Sequence, residues 1–415
     1  MSFMKLLKSA ALFLFPATLS ASANAEYLIN LADFPDWFQQ SMARETSVET
    51  SGKMVIERLN VDAQVKGKPV LQDSGSTDVW YYTMDIGSDS PVECYAFLEF
   101  DGAANSLHAI VEHSLGGAEQ INGKALSGRF TLGLDMGMVG DTPYLQLDTL
   151  YNLGEGGEKV AGVLKGLSGQ TEQSLQICVH NEMGYQQAFF DVFSSFVQAF
   201  TANDQQPELY EATYRMTING IPVGYSQEKH TIDQDGDIAT VLRDAMITPV
   251  DQVAVSRSDS QTLEWSRPDG SLINAREYTI ENGQLASQFA ISSAEDAWQV
   301  TGQMQGKEVS ATLEYNSWLL SSFGNYTETA LLLASDAPSA DYHIWLSDAD
   351  PTSALPVTFT KIDELPDANL QFDLGPLTLK YLATENGSFE KGSIAQGGAV
   401  LILEKVYSKG QPVMP

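Results

Sequence analysis

Residues 210–225, YEATYRMTINGIPVGY, decide how the second half of the chain folds. Tyr210, Ala212, Tyr214, Met216 and Ile218 alternate with polar or charged neighbours, the period of a strand that buries one face. Asn219-Gly220 then supplies the positive backbone angles of a tight hairpin, so the chain turns back at Ile221. Comparable turns follow at Asp235-Gly236, Asp269-Gly270, Asn282-Gly283 and Gly306-Lys307. Between them Leu263 and Trp265, Tyr278 and Ile280, Phe289 and Ile291, and Trp298 and Val300 keep the alternation. The pattern predicts one antiparallel meander, with later strands over residues 342–346, 356–362, 370–382 and 398–406. A sheet of this kind needs apolar material against its inner face, yet only one short helix is expected here, over residues 317–322. A curved sheet with so few helices encloses a hollow that is either packed by its own side chains or holds a guest. Tyr214, Met216, Trp265, Tyr278, Phe289, Trp298 and Met304 are the candidates for that inner face and for contact with an apolar ligand.

Upstream the rhythm is mixed, which predicts an α+β domain. A short helix is expected over residues 36–45 and strands over 53–61, 78–86 and 92–100. Ala103, Ala104, Leu107, Ile110, Val111 and Ser114 recur at spacings of three and four, the mark of an amphipathic helix that Gly116-Gly117 would end. Four more strands follow over 129–135, 144–151, 159–165 and 174–179, then a helix over about 185–200. Phe189, Phe193, Phe196, Val197 and Phe200 line one stripe of that helix, so it should lie on a sheet. The expected organisation is an α+β sandwich over residues 26–203, a polar linker at 204–207, and a half-barrel-like antiparallel β-rich domain over 208–415.

The first 25 residues have the layout of a cleaved export signal: Lys5 and Lys8, an apolar run over 10–15, then Ala21-Ser22-Ala23-Asn24-Ala25. Cleavage is expected after Ala25, and no transmembrane segment is expected elsewhere. The cysteines, Cys94 and Cys178, sit in strand-like runs, and an even pair in an oxidising compartment joins as a disulfide. Closing a loop of that length is worth roughly 4–5 kcal/mol in the chain-entropy account. The protein is therefore expected in a bacterial periplasm or outside the cell.

With 54 acidic against 23 basic side chains, the formal charge of −31 repels phosphate backbones and anionic lipid headgroups, which argues against nucleic-acid binding and electrostatic membrane docking. Nucleotide-binding glycine motifs and the G-x-S-x-G elbow are absent, and Gly166-Leu167-Ser168-Gly169 is one residue short of the latter. His108 and His113 are five apart on a helix and poorly placed to share a metal. Asp233-Gln234-Asp235-Gly236-Asp237 places carboxylates at alternate positions, but its glycine is fourth rather than sixth, so a hairpin turn fits better than a calcium loop. No cofactor and no metal site is expected.

Tyr214 to Tyr225, with Asp233 to Asp237 and Arg267-Pro268-Asp269-Gly270, resembles the long antiparallel half-barrels of exported bacterial lipoprotein carriers, the LolA, LolB and RseB-like proteins. The likeness covers roughly residues 210–315 and rests on strand rhythm and the Asn-Gly-Ile-Pro-Val-Gly turn. It implies a concave apolar face that receives an acyl chain, a lipidated protein or another hydrophobic partner, without a cofactor. The resulting expectation is a non-enzymatic envelope protein that binds a hydrophobic small molecule or partner. The alternatives are an exported hydrolase acting on carbohydrate through paired carboxylates, and a structural or interaction module. Amino-terminal sequencing of the protein secreted from its host should return Glu26 as the first residue; retention of Met1 would contradict the export signal.

Overall fold

The computed structural model describes residues 28–201, 208–294, 297–315 and 317–412. The predicted signal and linker lie outside these residues. The architecture is mainly antiparallel strand, in two large sheets, one on either side of residues 202–207.

In the first half, helix α1 (Asp36–Met42) precedes a hairpin of β1 (Ser51–Ile56) and β2 (Val61–Lys66). A seven-stranded antiparallel sheet follows, made of β3 (Pro69–Gln72), β4 (Val79–Met84), β5 (Val92–Phe97), β6 (Leu126–Val139), β7 (Thr142–Leu153), β8 (Val160–Gln170) and β9 (Leu175–His180). Its spatial order is β3-β4-β5-β9-β8-β7-β6. Helix α2 (Ala103–Asn122) packs Leu107, Val111 and Leu115 on one face, against Leu145, Leu147, Leu164 and Ile177. Helix α3 (Gln186–Thr201) covers the other with its phenylalanine stripe, against Met84, Cys94, Leu167 and Cys178. Cys94 and Cys178 stand opposite each other on β5 and β9 and form the expected disulfide.

Some boundaries differ from the sequence reading: the strand expected over 53–61 breaks at Glu57–Leu59 into the β1–β2 hairpin, and the one expected over 370–382 is two strands, 368–374 and 377–383. Helix α2 runs through Gly116-Gly117 and ends at Gly123, whose φ of +62° gives the left-handed turn. Each internal glycine costs a helix about 1 kcal/mol, and burial of Leu115 and Ala118 on either side offsets it.

The second half is one 14-stranded antiparallel sheet. Strands β10 (Glu208–Ile218), β11 (Ile221–Ile232), β12 (Ile238–Pro249), β13 (Val255–Ser266), β14 (Leu272–Glu281), β15 (Gln284–Ala294), β16 (Ala297–Met304) and β17 (Lys307–Thr312) meander in sequence. A second meander runs through β18 (Ser339–Trp345), β19 (Ala354–Glu364), β20 (Ala368–Leu374), β21 (Leu377–Ala383), β22 (Phe389–Gln396) and β23 (Ala399–Gly410). Pairing of β23 with β10 joins the two. The expected hairpins form, with Asn219, Asn282 and Gln305 at positive φ; the last places its turn at Gln305-Gly306.

The sheet folds back on itself in a barrel-like manner, and its interior contains helix α4 (Ser322–Ala334). This helix corrects the expected short one at 317–322. Polar Ser322, Asn325 and Thr329 are buried with Phe323, Tyr326 and Leu332, while apolar Leu331 is exposed, so the sequence leaves no amphipathic signature. Leu319 O accepts from Leu272 N at 2.8 Å and Leu320 N donates to His343 O at 2.8 Å, stitching β14 to β18. The phenol of Tyr326 donates to Glu228, which also accepts from Tyr214 at 3.1 Å.

Strand β13 carries a carboxylate to each side of this sheet. On the outer face, Asp259 accepts from Ala104 N at 2.9 Å and from Asn105 N at 2.8 Å, and so caps helix α2 of the first half. The Asn105 side chain adds a third donor at 2.7 Å. Gly102, at φ +106°, is where the chain must come closest: a Cβ there would lie 2.3 Å from that of Asp259. On the inner face, Glu264 accepts from Ser322 N at 2.6 Å and Ser322 Oγ at 2.8 Å, and so caps α4.

Burial pushes both carboxyls up to about 7, against the pull of their donors. These values exceed the ordinary 3.8 and 4.5, so between roughly pH 4 and 7 the native state holds more protons than the unfolded chain. Their contribution to stability is complete below pH 4 and is lost as pH rises through 7. Thermal melts from pH 5 to pH 8 should fall in midpoint, and the fall should shrink in Asp259→Asn and Glu264→Gln. A midpoint that rises across that window would contradict this assignment.

Candidate functional site

The seven aromatic and thioether candidates do not converge on one space. Tyr214 and Met216 belong to the core that surrounds α4, with Tyr326, Phe359 and Phe372. Phe289 and Trp298, with Met304 packed beside them, belong to a second core where β14–β16 meet Trp345 and Ala354. Trp265 and Tyr278 point to the opposite, outer face. Tyr278 is in register with Gln261, on the same side of β13 as Asp259, and the outer face is buried where the first half docks. Alternation reveals that a strand has a buried face; a sheet covered on both sides gives no sign of which is inner. The expected hollow is occupied by α4 and its neighbours, so an acyl chain could enter only by displacing them.

A polar cavity lies instead in the first half. Tyr144, Gln146 and Asp148 are alternate residues of β7 and so share one face of the sheet, the face beneath α3. Register places Asp135 and Gly133 of β6 on one flank of Gln146 and Asp148, and Leu167 and Lys165 of β8 on the other. The first turn of α3 brings Gln186, Gln187, Phe189 and Phe190 over them as a roof. All of these but Lys165, with Leu134, line a half-open space of about 280 Å³.

Asp148 is completely buried. Its Oδ2 accepts from Gln146 Nε2 at 2.9 Å and Gln186 Nε2 at 3.2 Å, while Oδ1 has no donor among the described residues. Burial pushes its carboxyl up to about 6; Lys165 and the two amides pull the other way, and Asp135 adds to the rise. Lys165 is itself buried, and desolvation brings it down to about 8. Its ammonium donates to the Gly184 carbonyl and lies 5.8 Å from the ring centre of Phe189. Asp135 accepts from Arg215 of β10 at 2.6 Å, so the second half fixes one edge of the cavity.

The start of α3 is already served. Glu45 accepts from Gln187 N at 3.0 Å and Ala188 N at 3.5 Å, so this helix end has no need of an anion. Among the described residues the lining contains carboxylate, carboxamide and aromatic groups and no Ser, Cys or His. Sequence reasoning recognised the strands and the helix stripe but not this site. The available signal was an acid at a buried alternate position of β7, facing a lysine in the equally apolar run Val163-Leu164-Lys165-Gly166-Leu167.

A buried carboxylate with one unsatisfied oxygen is costly to the fold. Its folded pKa of about 6 lies above 3.8, so the cost is absent below pH 4 and fully developed above pH 6. It amounts to something on the order of 3 kcal/mol. Asp148→Asn, which stays neutral, should raise unfolding stability at pH 8 by about 1–3 kcal/mol and change little at pH 4. Denaturant titrations at both pH values check this, and a loss at pH 8 would contradict it.

No protein-family model and no curated protein matches the chain. Among solved structures it is similar to a beta-barrel-like protein of a domain of unknown function, DUF1849, from Brucella abortus, at 12% identity and a TM-score of 0.39. That match covers 49% of this chain and 98% of the other.

Proposed function

We propose that this chain is an exported, non-enzymatic binding protein that takes one small polar molecule into the cavity beneath α3. The observation that carries the reading is Asp148: fully buried, lining a cavity, held by two carboxamides through one oxygen and lacking a donor on the other. A protein keeps such a costly group where a ligand supplies what the fold does not. The disulfide fits an oxidising compartment, in keeping with the export signal read in the sequence.

A hydrolase would call on the same two carboxylates, Asp135 and Asp148. The cavity volume favours binding over that reading, since about 280 Å³ suits a single small molecule rather than the two sugars that flank a glycosidic bond.

Thermal-shift measurements of the full chain against a panel of small amines, polyols, monosaccharides and amino acids test the proposal. At least one compound should raise the midpoint by several degrees, and Asp148→Asn or Gln186→Ala should abolish the gain. No gain in the unaltered protein, or a gain that survives both substitutions, would overturn it.

A further inference from the structure

The cavity's charged groups are acceptors, the carboxylates of Asp135 and Asp148. Gln146 and Gln186 spend their amide nitrogens on Asp148, and Gln187 spends its own on Asp191 at 2.8 Å. Each of these nitrogens keeps a second N–H and Tyr144 has its hydroxyl, while the glutamine side-chain oxygens can accept beside Oδ1 of Asp148. A molecule that fills this space and meets Asp148 Oδ1 must bring a donor to it. Positive charge suits it as well, because the lining holds two carboxylates, Asp135 and Asp148, and no cation; Lys165 offsets Asp148 from outside the lining, and Arg215 pairs with Asp135.

The remaining wall is aromatic. Tyr144 and Phe190 stand with ring centres 5.5 Å apart, and Phe189 lies beside them. Such faces attract an organic cation and cover its apolar body. A hard divalent ion asks for about six or more oxygens and gains nothing from these rings.

We infer, building on the binding reading above, that the cavity selects a primary ammonium carried on a short apolar or aromatic body. The three N–H groups of such a head meet Asp148 Oδ1 and the glutamine oxygens, and its charge adds to the partial compensation that Lys165 gives the carboxylate. A neutral alcohol of the same shape offers one donor and no charge, so the site discriminates against it. The net charge of −31 also concentrates cations near the protein.

Proton uptake weakens the preference. Asp148 is faced by Asp135 from β6 and Lys165 from β8, while α3 contributes the neutral Gln186 and Gln187. Lys165 in turn faces Glu45, Glu182 and Arg44. Within this group Asp148 gains its proton as pH falls through about 6, and the cation then loses its counter-charge.

Calorimetric titration of the full chain with benzylamine and benzyl alcohol at low salt tests the inference. At pH 7.5 benzylamine should bind about tenfold or more tightly than the alcohol. Lowering the pH to 5 should weaken benzylamine by about tenfold and leave the alcohol unchanged. Asp148→Asn should bring the two within about twofold, and Gln186→Ala, at the start of α3, should weaken benzylamine in a second, independent variant. Equal affinities, a tighter alcohol, competitive displacement of benzylamine by calcium chloride at lower concentration, or no binding of either probe would overturn the ammonium assignment. If another compound class still stabilises the protein through Asp148 and Gln186, the binding reading stands without it; if none does, both fall.

Discussion

Asp259 and Glu264 lie five residues apart on one strand, so they emerge on opposite faces of the second sheet. Each meets the first turn of a helix and accepts from backbone N–H groups that have no partner within that helix. Helix α2 is thereby tied to the outer face of β13 and α4 to its inner face. Loss of either carboxylate would leave buried donors unsatisfied, at a cost of about 1–3 kcal/mol for each. A helix from the first half, a strand from the second and the helix inside the barrel-like sheet are thus joined as one unit.

The candidate site depends on that joint. Docking of α2 against β12 and β13 brings Tyr225, Ala245 and Ile247 into the core of the first half. It also brings β11 alongside β6, and from neighbouring β10 Arg215 reaches Asp135 at the edge of the cavity. Asp135 in turn faces Asp148 and raises its proton affinity. The charge state of the cavity is therefore coupled to how the halves are held together, although every lining group belongs to the first half.

Much of the fold was legible because it rests on local chemistry. Asn219-Gly220 and Asn282-Gly283 require the positive backbone angles that only a few residue types adopt readily, and they mark their hairpins unambiguously. The phenylalanine stripe of α3 announces a helix on a sheet, and Cys94 with Cys178 predicts the bridge across β5 and β9. What remained hidden depends on contacts distant in sequence. Helix α4 buries polar Ser322, Asn325 and Thr329 while Leu331 is exposed, so it carries no clean hydrophobic face to recognise. Trp265 and Tyr278 alternate correctly but face the docked half, because the phase of a two-sided strand is set by what covers it. Asp148 gains its meaning only from Gly133, Gln186 and Lys165, which register and helix placement bring to it.

Native-state hydrogen exchange at Ala104, Asn105 and Ser322 probes the joint most directly, since these are the amides that donate to the two carboxylates of β13. The account predicts that all three exchange only through the global unfolding that also exposes the amides of β13. Exchange of Ala104 and Asn105 at a markedly lower opening free energy than Ser322 would contradict it, because the halves would then separate while the barrel-like sheet stayed folded.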